Sequence, residues 1–214
     1  YAQLWPAETT RAVMTAMREV VQEHGIPESF YTDRAGWAFD TPKAGGKVSK
    51  THLTQVGEAL ARLGVEHIPS YSPQARGRSE RMNQTLQGRL VNELRAAGVT
   101  TPEAANDYLR ERYLPTHNDE FAKPPADPTS AFVELDGVDL DEIFFEQEVR
   151  KVGKDNTVGF DGVLLQLDKQ PGRRTCAGLA VQIRRRLDGG HTVGRGTQLL
   201  GAYEAGGRPR PAKA

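Results

Sequence analysis

Val65-Glu66-His67-Ile68-Pro69-Ser70-Tyr71-Ser72-Pro73-Gln74-Ala75-Arg76-Gly77-Arg78-Ser79-Glu80-Arg81-Met82-Asn83 is the stretch on which the fold turns. Val65 to Ile68 read as a short strand and Tyr71 to Arg78 as the loop that leaves it. From Ser79 to Ala97, Met82, Leu86, Leu90 and Leu94 recur at helical spacing ahead of Gly98, which predicts a long helix with Glu80 in its first turn. Working backwards, Thr51 to Leu63 carry a second amphipathic stripe, Leu53, Val56, Leu60 and Leu63, closed by Gly64. Before it lies a long loop, Arg34 to Lys50, broken by Pro42 and the Gly45-Gly46 pair. Ile26 to Thr32 read as a strand that ends at Asp33, and Ala7 to His24 as a helix with Gly25 as its left-handed cap. Tyr1-Ala2-Gln3-Leu4-Trp5 reads as a strand already under way, a start that cuts into a fold. Strand, helix, strand, helix, strand argues for an α/β unit with helices packed on a sheet.

Working forwards, Thr101-Pro102 opens a fourth helix, with threonine as the cap and proline at the first helical position. Residues 115 to 141 are rich in proline and acid and read as a linker or strap. Beyond Phe144 the pattern changes to short alternating runs at 149–152, 157–160, 163–167, 179–185 and 197–203. Lys154-Asp155-Asn156 and Leu187-Asp188-Gly189-Gly190 supply turns between them. The simplest reading is a five-stranded β-barrel, followed by a disordered Arg/Pro/Ala/Lys tail after Gly206.

Composition adds bounds. The 214 residues are 37% hydrophobic, enough for one moderate core and a small satellite domain. No apolar run approaches the roughly 20 residues of a membrane span, and no signal-peptide pattern is present, which makes a soluble, cytoplasmic protein the expectation. The one cysteine, Cys176, has no partner for a disulfide or a zinc site and reads as filler. The 28 basic and 28 acidic residues cancel, but not locally: residues 1–114 carry a net +1, residues 115–148 a net −9 and residues 149–214 a net +8. The basic C-terminal part is a plausible phosphate-contacting surface.

A carboxylate at a strand end and another on a nearby helix is how a two-metal phosphoryl-transfer site is assembled, because hard oxygen ligands must converge on the cations. Asp33 and Glu80 fit that pattern. Spacing alone leaves the blander alternative open, with Asp33 as a turn residue and Glu80 as a helix-start carboxylate favoured by the macrodipole, both commoner than metal ligands. Glu80, Asn83, Gln84 and Gln87 share one polar helix face that could border a DNA backbone. Arg76, Arg78 and Arg81 crowd the approach to Glu80, where phosphate contact competes with surface ion pairing. His67 reads as a satisfied buried imidazole. Of Arg184, Arg185 and Arg186, running off a strand into a turn, at least two should face solvent, within reach of phosphates.

Tyr31-Thr32-Asp33-Arg34, followed at the right interval by Val65 to Asn83, resembles the integrase core of bacterial insertion-sequence transposases, particularly the ISNCY type. In that family the aspartate after the strand and the glutamate of Ser-Pro-Gln-x-x-Gly-x-x-Glu-Arg-x-Asn are the second and third members of an Asp-Asp-Glu set. The likeness covers residues 1 to about 140 and assigns those roles to Asp33 and Glu80. It implies an RNase H-like catalytic core over residues 1–114, an acidic extension over 115–143 and a basic SH3-like barrel over 144–205. It also implies two Mg2+ or Mn2+ ions, DNA cleavage followed by strand transfer, double-stranded transposon ends and target as partners, and a homo-multimer on DNA. His117-Asn118 resembles a structural region that follows such cores.

Two departures stand out. The family's first aspartate and its helix-turn-helix region fall upstream of Tyr1, so this stretch alone is expected to be inactive. A non-catalytic DNA-binding or assembly remnant of a truncated gene is therefore the alternative. The interval between Asp33 and Glu80 is also longer than in the compact pattern, and Lys43 and Lys47 lie in the extra loop, near the expected DNA path.

Overall fold

In a computed structural model of the chain, the described residues are 1–43, 45–49 and 51–210, with the side chains of Pro73, Ala75, Arg76 and Arg78 excepted. The chain divides into two compact units, Tyr1–Val138 and Asp139–Ala214. Among the described residues no helix is long and apolar enough to cross a membrane.

The first unit begins with residues 1–5 outside any strand. The strand expected there does not form. The backbone of Leu4 is held instead by a side chain: its N–H donates to Asn106 Oδ1 (2.7 Å), and its carbonyl accepts from Asn106 Nδ2 (3.0 Å). Helix α1, Thr10–His24, starts where the Thr9 hydroxyl accepts from the Ala12 N–H, and it buries Ala12, Met14, Met17 and Val21. It ends at Gly25, which at φ +94° and ψ −175° is not the left-handed cap expected but a conformation that suits only glycine, and where a Cβ would stand 2.4 Å from the Val133 carbonyl oxygen. That crowding exists because β1, Ile26–Pro27, pairs antiparallel with β4, Phe132–Val133. Thus the strand predicted over 26–32 is two short strands. The second, β2 (Ser29–Thr32), pairs in parallel with β3 (Glu66–Pro69), and α2 (Gln55–Leu63) connects them. Thr54 caps α2, and Gly64 ends it in the left-handed conformation. The buried side of α2, Val56, Ala59 and Leu60, joins Met14 and Val21 in the core.

Helix α3 spans Pro73–Ala96, starting six residues before the position read from the sequence. Proline is favoured at a first helical position, and most of Gln74 to Glu80 are helix-tolerant residues, so the presumed loop is helix. The buried stripe holds only in the second half, where Leu90, with Leu86 and Leu94, meets Leu109 and Tyr113. Met82, read as core, is 42% exposed. Downstream, α4 (Pro102–Tyr108) runs through a π turn at Leu109–Tyr113 into α5 (Leu114–Phe121). Residues 115–121, read as the start of a linker, are therefore helical. The wide turn ahead of Pro115 offers a place for a proline that cannot donate a helical hydrogen bond.

In the second unit, β5 (Phe145–Lys151), β8 (Ala180–Arg186), β9 (His191–Arg195) and β10 (Gln198–Tyr203) form an antiparallel sheet in the order β10-β9-β8-β5. A separate hairpin joins β6 (Thr157–Phe160) to β7 (Val163–Gln166). Its two-residue turn, Asp161 at φ +49° and Gly162 at +76°, matches the twist of the flanking strands. Val158 and Leu165 of the hairpin bury themselves with Val181, Ile183, Val193 and Tyr203 of the sheet. The closed five-stranded barrel expected from the sequence is not what the described residues make. There are six strands, and the hairpin meets β10 through side chains, such as Tyr203 Oη donating to the Gln166 carbonyl (2.8 Å), rather than through a ladder. Residues 206–210, read as a disordered tail, return to the sheet: the Arg210 N–H donates to the Ala202 carbonyl (2.7 Å), and its guanidinium pairs with Asp188.

Candidate functional site

The parallel pair β2 and β3 is in register to its last residue, Thr32 opposite Pro69, so the chain leaves both strands at the same edge. The Ser70 N–H continues the ladder by donating to the Thr32 carbonyl (2.9 Å), which places Asp33 and Ser70 side by side at the strands' C-terminal ends. Crevices at such ends are where open α/β sheets bind ligands. Here a cleft of about 490 Å³ opens, lined by Asp33, Arg34, Ala35, Ser70, Tyr71, Ser72 and Glu80. Two carboxylates 47 positions apart in sequence thus border one cavity.

Each carboxylate owes its place to local structure. Asp33 is half-buried, and its Oδ1 accepts from the Ala35 N–H (3.1 Å), a turn that fixes the side chain just past the strand. The Thr32 hydroxyl donates to the Asp33 carbonyl (2.9 Å) and lies 2.9 Å from His67 Nε2. A hydroxyl has one proton to give, so His67 Nε2–H is the donor in that second contact. The ring stacks on Phe39, with centroids 4.0 Å apart, and burial lowers the His67 pKa to about 4. His67 is therefore a neutral, satisfied brace for the end of β2, as its sequence context suggested.

Glu80 is exposed and stands eighth in α3, two turns in rather than in the first turn. The helix macrodipole fades within a turn, so it gives no account of this glutamate. The cleft is lined by two carboxylates and two serines beside the Arg34 guanidinium, with no soft ligand, so Asp33 and Glu80 are the residues that could hold a hard divalent cation. Among the described residues no group of three or more His, Cys, Asp or Glu converges, so the pair is what they provide.

Comparison with known proteins gives this arrangement a context. No protein-family profile matches the chain. It is 31% identical over 185 residues to y4bF of Sinorhizobium fredii, a protein that carries a transposase name, covering 86% of this chain and 40% of that one. It is also 36% identical over 114 residues to the transposase for insertion sequence IS1202 of Streptococcus pneumoniae, covering 53% of this chain and 24% of the other. The chain is homologous to insertion-sequence transposases. It spans less than half the length of either of these relatives.

Other residues singled out from the sequence of this transposase homologue lie around the cleft or apart from it. Arg81, Asn83, Gln84 and Gln87 are exposed on α3, the last three following Glu80 along its face. The side chains of Arg76 and Arg78 lie outside the described residues. Lys43 and Lys47 are exposed on the loop after Asp33. In the second unit the arginine run is largely engaged internally. Arg184 pairs with Glu142 (3.3 Å) and covers the Phe145 ring, whereas Arg185 binds Glu146 (2.5 and 2.9 Å), Asp161 and the face of Phe160. All three arginines are half-buried rather than facing freely into solvent, because strand β8 lies inside the sheet, where Arg185 is paired with Glu146 of β5. The residues missed from sequence are Arg34, Ser70, Tyr71 and Ser72. Each lies within the quoted stretches but was given no role, and the shared exit of a parallel strand pair was the signal that would have gathered them.

Proposed function

We propose that this chain contributes two of the three catalytic carboxylates of a DDE transposase, within an RNase H-like core, and that its C-terminal unit is an SH3-like accessory module. The observation that carries the reading is that Asp33 and Glu80, far apart in sequence, line one oxygen-rich cleft at the ends of parallel strands. Asp33 and Glu80 would hold divalent metal, whose charge would stabilise the entering and leaving oxygens at a phosphodiester. The chain's own residues do the positioning. The turn at Ala35 and the Thr32–His67 brace hold Asp33 at the rim, and α3 presents Glu80 with the polar face of Asn83, Gln84 and Gln87 running on from it. The exposed amides and Arg81 would lie along the DNA backbone, where contacts set register without reading bases. The DNA partners are transposon ends and target, in a homo-multimer.

The test is a strand-transfer assay with pre-cleaved ends, using protein that joins this chain to the aspartate-bearing strand the resemblance implies. Joined products abolished by Asp33→Asn and by Glu80→Gln are expected. Purely hydrolytic products would make the protein a nuclease, and activity retained by either variant would remove that residue from the chemistry.

A further inference from the structure

The loop after Asp33 is tied to the cleft rather than draped over the surface. The Ser49 N–H closes its base on the Asp40 carbonyl (2.7 Å), and the Gly46 N–H turns back to the Lys43 carbonyl (2.8 Å). Two cleft-lining residues grip the far side. Arg34 Nη1 donates to the Gly46 carbonyl (2.7 Å), and the Val48 N–H donates to Tyr71 Oη (3.3 Å). The two grips are themselves joined, for the Arg34 guanidinium lies over the Tyr71 ring, 4.9 Å from its centroid. Arg34 comes from the end of β2 and Tyr71 from just past β3, so the latch bridges the elements that carry Asp33 and lead into the helix of Glu80. Lys43 and Lys47 are exposed on the loop that this latch ties to two cleft-lining residues.

We infer that Arg34 and Tyr71 are positioning residues that hold Lys43 and Lys47 where both ammonium groups meet the phosphates of a DNA duplex lying in the cleft. The inference rests on the function proposed above. A flexible loop with two lysines would lose conformational entropy on each phosphate contact, and a latched loop has already lost it. Arginine suits the latch because its planar cation can stack on a ring and donate in its own plane at once, which lysine cannot do. Arg34 thus acts through the lysines.

The experiment titrates a short duplex DNA with the 214-residue chain at several salt concentrations. It compares wild type, Arg34→Ala, the Lys43→Ala/Lys47→Ala pair and all three together, and follows Val48 amide exchange in parallel. Removing the two lysines should flatten the dependence of log K on log[salt] by about 2 and weaken binding roughly tenfold. Arg34→Ala should do nearly the same, and the triple variant should bind within about twofold of the double, since residues acting as one unit are not additive. Tyr71→Phe and Arg34→Ala should each speed Val48 exchange at least about tenfold, because the amide loses its anchor. A triple variant about a hundredfold weaker than wild type would overturn the inference, by showing that Arg34 contacts DNA independently. Unchanged Val48 exchange would overturn it as well. A wild-type chain that binds no duplex would count against the proposed DNA contacts, with the exchange result still deciding whether the latch exists.

Discussion

His67 gives a pH test of how the end of β2 is held. Its ring is half-buried, stacked on Phe39 and committed through Nε2–H to the Thr32 hydroxyl, and its pKa is lowered to about 4 by burial. In the unfolded chain it titrates near 6.5. The unfolded state therefore takes up a proton as pH falls through 6.5 while the folded state stays neutral until about 4. The stabilisation is complete above 6.5 and is lost between 6.5 and 4. At about 1.4 kcal/mol per unit the full difference is roughly 3 kcal/mol, and solvent screening at a half-exposed ring reduces it to about 1–2 kcal/mol. Urea unfolding at pH 7.5 and at pH 4 should show wild type losing that much more stability than His67→Phe, which has no proton to take up. The ring resonances should shift only near pH 4. A ring that titrates at 6.5, or a variant with the same pH slope as wild type, would refute the account of a neutral brace.

Three further outcomes test the packing. Gly25→Ala should cost more than about 2 kcal/mol in urea unfolding, since the residue has φ +94° and its Cβ would meet the Val133 carbonyl at 2.4 Å. Tyr113→Phe should be neutral or stabilising by up to about 1 kcal/mol, because the Tyr113 hydroxyl is buried with no hydrogen-bond partner among the described residues. Arg185→Ala should destabilise the second unit by about 1–3 kcal/mol, as it strands the half-buried Glu146 carboxylate; calorimetry of the unit's transition reads this.

Sequence legibility followed the physics of each signal. Helices α1 and α2 were readable because apolar periodicity and a terminal glycine agree at each, but their starts were set three and four residues early, since the capping Thr9 and Thr54 were not read as caps. The hairpin strand Thr157–Phe160 was read to the residue, its start marked by the Lys154-Asp155-Asn156 turn. The start of α3 was misplaced because Tyr71-Ser72-Pro73 reads as a loop, and proline is ambiguous between ending one element and beginning another. Strand β9 was missed: His191-Thr-Val-Gly-Arg is short, interrupted by glycine and made a strand by its neighbours β8 and β10. The arginine run was visible in sequence, but its carboxylate partners were not, because Glu146 reaches Arg185 by cross-strand pairing and Asp161 from the turn of the separate hairpin. For the cleft, the motif marked Asp33 and Glu80. That both line one cleft required knowing that β2 and β3 run parallel and end together.

The most direct measurement is divalent-metal binding by the chain itself, read as the loss of free Mn2+ signal in electron paramagnetic resonance. A shared site predicts that wild type binds Mn2+, that Asp33→Asn and Glu80→Gln each weaken binding about tenfold or more, and that the double variant is little worse than either single one. Unaltered Mn2+ binding in either single variant would show that the two carboxylates do not hold one metal, and the central claim would fall.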